Sequence, residues 1–171
     1  MPAAAAIAAL TLIAVLLIML GESALSSHNE RVLRGRGAIE PDGDVIDTMR
    51  WAYPSCFVAM AIEGALMGPT TPDGLAIGFA VFGLAKALKV WAISTLGVRW
   101  TFRVLVLRDA PLVSGGLYAV LRHPNYLAVL GELAGMALIV WAPVAGVASL
   151  IGFGMLMRQR MRIEDRALGR Q

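Results

Sequence analysis

The densest group of polar side chains lies between Gly115 and Tyr126, where a basic segment runs into an apolar stretch. The string Arg122-His123-Pro124-Asn125-Tyr126 places a proline where it suits the first turn of a helix, which leaves His123 near the N-cap. The backbone N–H groups and positive dipole end of such a helix form a site for a carboxylate or phosphate, and Arg122 adds a cation beside it. The alternative is that these side chains mark a membrane interface, with Tyr126 in an aromatic belt.

A second charged group, Arg158–Arg166, follows the last apolar stretch. Arg160 and Glu164 are four residues apart and so share one face of a helix. A basic residue that precedes Glu stabilises a helix less than the reverse order does. A solvated charge run at the membrane surface is the alternative. Because Ala142-Pro143 leaves almost no loop before the final helix, we expect the last two helices to form an antiparallel hairpin. Both polar groups then meet at one membrane face.

Four ionisable residues, Glu63, Lys86, Lys89 and Glu132, fall inside apolar stretches. Ionisable groups at that depth are costly and usually face the interior of a helix bundle. Lys86 and Lys89 are three residues apart and lie on one face, and a Glu63–Lys86 ion pair is one hypothesis. The alternatives are lysines that extend to the interface and an interhelical hydrogen bond from Glu132.

The elements that carry these residues are membrane helices by composition. Hydrophobic residues make up 58% and charged residues 16% of the 171-residue chain, against about 45–50% and 25% in soluble domains. The mean hydropathy is +0.70. Apolar runs predict helices at about Ala3–Leu20, Trp51–Met67, Leu75–Leu96, Pro124–Trp141 and from Pro143 to about Arg158. We therefore predict an all-α, polytopic membrane bundle of about five transmembrane helices in a single domain, residues 1–171, and exclude a soluble enzyme.

The basic residues predict the orientation of this bundle. They concentrate in the first loop, in Gly97–His123 and in the C-terminal tail, which five spans place on one side of the membrane. The N-terminus is then outside, and the C-terminus and candidate site are cytoplasmic. No basic residue precedes the first apolar run, which favours an uncleaved span over a signal peptide. Short loops and no targeting signal favour a prokaryotic cell (inner) membrane.

The Arg122–Tyr126 motif, a helical hairpin and a terminal Arg-rich segment containing Glu164 together resemble the isoprenylcysteine carboxyl methyltransferase family of integral membrane enzymes. The resemblance spans about Trp100–Leu168 and rests on two motifs in the right order and spacing. The stretches Asn29-Glu30-Arg31 and Gly37-Ala38-Ile39-Glu40 also look like a bacterial subgroup that methylates alkylpyrones. The resemblance implies methyl transfer from S-adenosylmethionine to a carboxylate or hydroxyl/enol of a lipophilic, prenyl or alkyl-chain acceptor.

When the family's motifs are matched to their positions in this sequence, the resemblance implies that about residues 100–171 bind the cofactor. The implied cofactor contacts are Ala110, Pro111, Leu112, Val113, Tyr118, Arg122, His123, Pro124, Asn125, Tyr126 and Glu164, with Arg103 as a further candidate. Arg160 would face the acceptor, and Arg160, Glu164 and His123 are the candidate catalytic residues. Ala128 stands where the family commonly has Gly, and Asp165 replaces the usual second Glu.

The charges of these side chains are of the types that this chemistry needs. A carboxylate of S-adenosylmethionine suits Arg122 and the start of helix four, and its ammonium and sulfonium suit Glu164. A carboxylate acceptor needs no base, whereas an enol or phenol proton would go to His123 or Glu164, a choice that the sequence leaves open. The single cysteine, Cys56, excludes a cysteine metal cage, and we expect neither a metal nor a nucleic acid partner.

Three other functions remain as alternatives. A phospholipid N-methyltransferase shares the architecture and cofactor. An NADPH-dependent membrane reductase shares a similar His-Pro-Asn-Tyr string, although such enzymes place Gly-Glu sooner after the Tyr than Gly131-Glu132 here. A small transporter or scaffold, with charges that serve topology only, is the non-enzymatic alternative.

Overall fold

The computed structural model describes residues 2–68, 70–107, 111, 113 and 115–167, and this part of the chain is mainly helical. It contains α1 Pro2–Gly35, α2 Ile46–Met67, α3 Pro72–Leu96, α4 Pro124–Val140 and α5 Pro143–Ala167, with short 3-10 helices at Gly97–Arg99 and Gly116–Ala119. The all-α prediction is confirmed. Among the described residues, the ranges Ala3–Gly35 and Pro72–Arg99 are long and apolar enough to cross a membrane, and Pro124–Val140 is a shorter apolar helix. Five crossings therefore stay a prediction.

Helix α1 does not end at Leu20, as the apolar run predicted, but continues to Gly35. No proline interrupts this extension, and its inward face becomes polar while it stays buried at Ser26 and Asn29. Asn29 Nδ2 donates to the Trp100 carbonyl at 2.8 Å, so a later segment covers the polar face. At 1.5 Å per residue the helix is about 51 Å long, which exceeds the roughly 30 Å hydrocarbon core. The helix is therefore longer than one crossing requires, and its residues after Leu20 are its more polar part.

The starts of α2 and α3 are set by side chains just before them. Asp44 Oδ1 accepts the Ile46 N–H at 3.2 Å, so α2 begins before the predicted Trp51. Thr71 Oγ1 accepts the Gly74 N–H at 3.1 Å, and Pro72 occupies the first turn of α3. Thr71 is thus an N-cap, and α3 begins at Pro72, three residues before the predicted Leu75.

The predicted hairpin of the last two helices is confirmed. Trp141 adopts the left-handed conformation (φ 54°) and ends α4, and Pro143 begins α5 directly afterwards. Glu63 of α2 accepts the Val144 N–H at 3.0 Å and the Ala145 N–H at 2.5 Å, so it caps α5. The hypothesis of a Glu63–Lys86 ion pair is therefore wrong, because the helix N-terminus takes this carboxylate.

Helices α3 and α4 pack closely through glycines. A Cβ atom added at Gly135 would lie 2.7 Å from the Phe82 backbone nitrogen, and one at Gly78 would lie 2.7 Å from the Ile139 nitrogen. Small residues of this kind let two membrane helices approach each other. This contact fixes the depth of Lys86 and Lys89 on α3 relative to Glu132 on α4, and both lysines form ion pairs with Glu132.

Candidate active site

The segment 97–107 crosses the end of the bundle at which α1 ends and α2 begins. Ser26 Oγ on α1 accepts the Phe102 N–H at 2.7 Å, and Asp44 Oδ2 before α2 accepts the Val104 N–H at 3.1 Å. Ile39 and Val106 pair as an isolated antiparallel β-bridge. These bonds hold the segment as one wall of the candidate site.

Arg103 anchors this wall to acidic side chains. Its Nη1 lies 2.6 Å from Glu40 Oε1, its Nη2 lies 3.2 Å from Asp47 Oδ1, and its Nε lies 3.8 Å from Glu30 Oε2. Burial alone would raise the pKa of the Glu40 carboxyl, but hydrogen bonds from Arg103 and Arg34 outweigh it and hold that pKa below the usual value. Arg103, predicted as a cofactor contact, thus has partners within the chain.

Glu40→Gln should make stability less dependent on pH in the acid range. Since the folded-state pKa of Glu40 is lowered, its contribution is present above the ordinary glutamate pKa and is lost as pH falls through the lowered value. We expect the substitution to lower the free energy of unfolding at pH 7 by about 0.5–1.5 kcal/mol. Unfolding of the detergent-solubilised protein from pH 7 to 3 measures this, with the exposed Asp42→Asn as control. A wild-type minus variant difference that stayed constant with pH would contradict the assignment.

The α4–α5 hairpin brings Tyr126, Arg160 and Glu164 together. Arg160 Nε donates to the Tyr126 hydroxyl at 3.0 Å, and that hydroxyl donates to Glu164 Oε2 at 2.9 Å. Arg160 is only 6% exposed. The same-face prediction for Arg160 and Glu164 is confirmed, because both bond one phenol oxygen.

Two groups outside the hairpin also hold Arg160. Its Nη2 donates to the Phe102 carbonyl, and its Nη1 lies 3.5 Å from Asp44 Oδ1. The Asp44 side chain is buried, with 3% exposed. Asp44 is a residue that the sequence analysis missed. Its one sequence feature, an aspartate two residues before the first residue of α2, indicates a helix start and not a site.

His123 precedes α4 and lies between two carboxylates of α5. Its Nε2 is 3.2 Å from Asp165 Oδ1, and its Nδ1 is 3.8 Å from Glu164 Oε2. Asn125, two residues later, accepts a hydrogen bond from Trp100 Nε1 at 3.3 Å. Asp165, which departs from the family pattern, therefore contacts the histidine of the other motif. The His123 side chain makes no capping hydrogen bond at the N-terminus of α4.

One cavity of about 840 Å³ joins these groups. The predicted site residues that line it are Arg103, Pro111, Val113, Tyr118, Arg122, His123, Asn125, Tyr126, Arg160 and Glu164. Pro124 is buried in the first turn of α4 and does not line the cavity. Ala110 and Leu112 lie outside the described residues.

The cavity continues from these polar groups into an apolar part of the bundle. Along α5 its wall passes from Glu164 and Arg160 to Met157 and Phe153, which are spaced at helical intervals on one face. Leu16, Met19 and Leu20 of α1 line it as well. The cavity thus has a polar end at the helix termini and an apolar part that runs between the helices.

A comparison with known families decides the classification. The model of the "Isoprenylcysteine carboxyl methyltransferase (ICMT) family" matches residues 76–170, which is more than half of the chain. The chain belongs to the isoprenylcysteine carboxyl methyltransferase family. The chain is also 30% identical over 159 residues to the uncharacterized protein YpbQ of Bacillus subtilis (strain 168), a match that covers 92% of this chain and 94% of that one.

Membership of the isoprenylcysteine carboxyl methyltransferase family makes this chain a membrane-integral methyltransferase. The matched region contains both motifs and the residues of the α4–α5 hairpin that line the cavity. It leaves out α1, the connection that contains Asp44, the whole of α2 and the first residues of α3, so Asp44 and part of the apolar wall lie outside the matched region. Among the described residues, no group of three His, Cys, Asp or Glu side chains is placed to hold a metal ion.

Proposed function

We propose that this protein transfers a methyl group from S-adenosylmethionine to a carboxylate or hydroxyl/enol oxygen of a lipophilic acceptor. The observation that carries the proposal is that one cavity joins a charged end, at Arg122, His123 and Glu164, to an apolar part along α1 and α5. A charged cofactor and an apolar acceptor can meet in such a cavity. They would meet near Arg160 and Tyr126, where the two parts join.

The charges at the polar end fit the cofactor. S-adenosylmethionine supplies the electrophilic methyl group and carries both a carboxylate and positive charge. Arg122 lines the cavity beside the N-terminus of α4, and these two features suit the carboxylate. Glu164 lines it on the α5 side and suits the cationic groups. Pro111, Val113, Tyr118, His123, Asn125 and Tyr126 also line the cavity and complete the proposed cofactor contacts.

Arg160 is assigned to the acceptor. Its guanidinium is held in place by Tyr126, the Phe102 carbonyl and Asp44, so it can orient a carboxylate or enolate without first being ordered. As the acceptor oxygen bonds to the methyl carbon, the carbon–sulfur bond breaks and sulfur keeps the electron pair. Opposite charges on the two reactants diminish, so the protein mainly positions and desolvates them. An enol or phenol acceptor would also lose a proton, which Glu164 or His123 can accept.

The distribution of charge supports an active site on the cytoplasmic side of the membrane, which we propose to be a prokaryotic cell membrane. Arg34, Arg99, Arg103 and Arg122 lie at the end of the bundle that contains the polar part of the cavity. Basic residues concentrate on the cytoplasmic side of membrane proteins. We therefore propose five crossings with the N-terminus outside and the C-terminus in the cytoplasm.

Calorimetric titration of the detergent-purified protein with S-adenosylhomocysteine, the product form of the cofactor, tests the proposed function without a known acceptor. We expect micromolar binding, and no binding of NADPH in a parallel titration. Binding of NADPH alone would contradict the proposal in favour of a reductase. Failure of both to bind would leave a transporter or scaffold as the better account.

Asp44→Asn should slow methyl transfer and leave cofactor binding intact. The amide keeps the size and one oxygen acceptor, which can serve the Val104 N–H or the Ile46 N–H but not both, and it removes the negative charge 3.5 Å from Arg160. We expect a fall in kcat of about 3- to 30-fold, with the Kd for S-adenosylhomocysteine changed by less than about twofold. Asp42→Asn, an exposed neighbour, is the control. An unchanged kcat in a folded Asp44→Asn protein would show that Asp44 does not contribute to methyl transfer through Arg160.

A further inference from the structure

Five polar side chains meet deep in the bundle, away from the helix ends. Lys86 Nζ lies 2.9 Å from Glu22 Oε1 and 3.0 Å from Glu132 Oε2, and Lys89 Nζ lies 2.6 Å from Glu22 Oε2 and 3.3 Å from Glu132 Oε1. The Tyr53 hydroxyl donates to Glu132 Oε2 at 2.5 Å. We call these five residues, Glu22, Tyr53, Lys86, Lys89 and Glu132, the deep charge cluster. They come from α1, α2, α3 and α4.

The deep charge cluster forms part of the wall of the cavity described above. Glu22, Tyr53 and Lys89 line the same cavity as Arg160 and Tyr126. Glu132 is six residues beyond Tyr126 on α4, which places the cluster about 9 Å deeper in the bundle. The cavity therefore has two polar levels with apolar side chains such as Met157 and Val129 along its walls.

The charges of the deep charge cluster suit a neutral ligand group. Two ammonium and two carboxylate groups balance, so the cluster carries no net charge that would attract an ion. Glu22 receives one lysine bond on each oxygen, and a carboxylate oxygen can accept two. The Lys89 ammonium donates to Glu22 Oε2 at 2.6 Å and to Glu132 Oε2 at 3.4 Å, which leaves one of its three hydrogens without a carboxylate acceptor, and it lies 5.6 Å from the centre of the Tyr53 ring. The cavity-lining members can thus accept one hydrogen bond and donate another, which a hydroxyl group satisfies.

Helix packing alone does not account for the cluster. Replacing a buried ion pair by well-packed apolar residues is often neutral or stabilising, and ionisable residues within membrane spans usually mark functional sites. Glu132 is fully buried and Lys89 is 3% exposed. Covering Glu22 and Lys89 with a plain hydrocarbon chain would leave their remaining hydrogen-bonding capacity unmet, which disfavours such a chain.

We propose that the deep charge cluster binds a hydroxyl group on the acceptor, about 9 Å from the oxygen that is methylated. This inference rests on the proposed function, since it assumes that Arg160 orients the acceptor oxygen. The enzyme then selects acceptors with a second polar group along the chain over acceptors with an uninterrupted alkyl chain. The selectivity comes from Glu22 and Lys89, which a bare chain would desolvate.

Binding of two matched acids to the full-length protein tests this. The probes are 8-hydroxyhexadecanoic acid, whose extended chain places the hydroxyl near the cluster when Arg160 holds the carboxylate, and hexadecanoic acid. Both are titrated into the detergent-purified protein saturated with S-adenosylhomocysteine. We expect the hydroxy acid to bind at least about tenfold more tightly, and its 16-hydroxy isomer to show no such gain.

A double variant, Glu22→Gln with Lys89→Met, removes both cavity-lining charges and keeps the cluster neutral. We expect it to bind the two acids equally, with its affinity for S-adenosylhomocysteine unchanged. Glu63→Gln is the matched control, because Glu63 caps α5 and does not line the cavity. It should keep the tenfold preference.

Equal binding of the two acids by the wild-type protein, or binding of neither while S-adenosylhomocysteine binds, would overturn the inference and leave the proposed function standing. Failure of S-adenosylhomocysteine to bind would instead overturn the proposed function. The wild-type comparison needs no variant, so the inference stays testable even if the double variant does not fold.

Discussion

Arg160→Ala should reduce methyl transfer by at least about 100-fold while the protein still binds S-adenosylhomocysteine. The guanidinium is buried and fixed by the Tyr126 hydroxyl, the Phe102 carbonyl and Asp44, so its orientation needs no reorganisation when an acceptor oxygen arrives. Removing one preorganised polar group from an active site typically costs a factor of about 10²–10³ in kcat. The measurement pairs single-turnover methyl transfer with calorimetric titration of S-adenosylhomocysteine.

Arg162→Ala is the matched control for this substitution. Arg162 lies two residues further along α5, and it is exposed. It should keep near-normal turnover. Arg160→Lys should recover only a small part of the activity, because an ammonium cannot reproduce the fixed planar fork of a guanidinium. Near-normal turnover in Arg160→Ala would show that the arginine does not orient the acceptor.

Glu164→Gln should weaken binding of S-adenosylhomocysteine by about 10- to 100-fold, as expected for the loss of a hydrogen bond to a charged group. Glu164 lines the polar end of the cavity and accepts the Tyr126 hydroxyl hydrogen bond at 2.9 Å. The amide can still accept that bond through its oxygen, but it offers no negative charge to the cofactor ammonium. Calorimetry at two salt concentrations measures the loss and its electrostatic part.

Asp73→Asn provides the control for removing one carboxylate. Asp73 is exposed in the first turn of α3 and does not line the cavity, so its loss should leave the Kd unchanged. An unchanged Kd in Glu164→Gln would refute the assignment of Glu164 to the cofactor. A fall in turnover with unchanged binding would instead favour its role as a base for an enol or phenol acceptor.

The two predicted motifs are both local in sequence, and this is why they could be found. Pro124 favours a helix start directly after His123, and the four-residue spacing of Arg160 and Glu164 puts both on one helix face. A two-residue break between two long apolar stretches leaves only an antiparallel hairpin. From these local rules the meeting of the two polar groups at one end of the hairpin could be predicted, and the contacts of Tyr126 with Arg160 and Glu164 confirm it.

The partners of Glu63 and Lys86 could not be predicted in the same way. Hydropathy assigns ionisable residues to spans but carries no information on their depth relative to other helices. Glu22 follows the first apolar run, so hydropathy assigns it to a loop. It meets Lys86 because α1 continues to Gly35. That continuation depends on burial of Ser26 and Asn29 beneath Trp100 and Phe102, a contact between segments about 70 residues apart.

By itself the sequence determined the membrane class, the helical hairpin, the two motifs and the family that they resemble, because composition, helix periodicity and helix-start patterns are properties of neighbouring residues. Only the tertiary structure decided that Asp44 and the Phe102 carbonyl hold Arg160, that Arg103 is tied to acidic residues, and that Glu22 and Lys89 line the same cavity as the motifs. These pairings join distant parts of the chain through helix packing and burial, and sequence spacing does not specify how deep one helix lies against another.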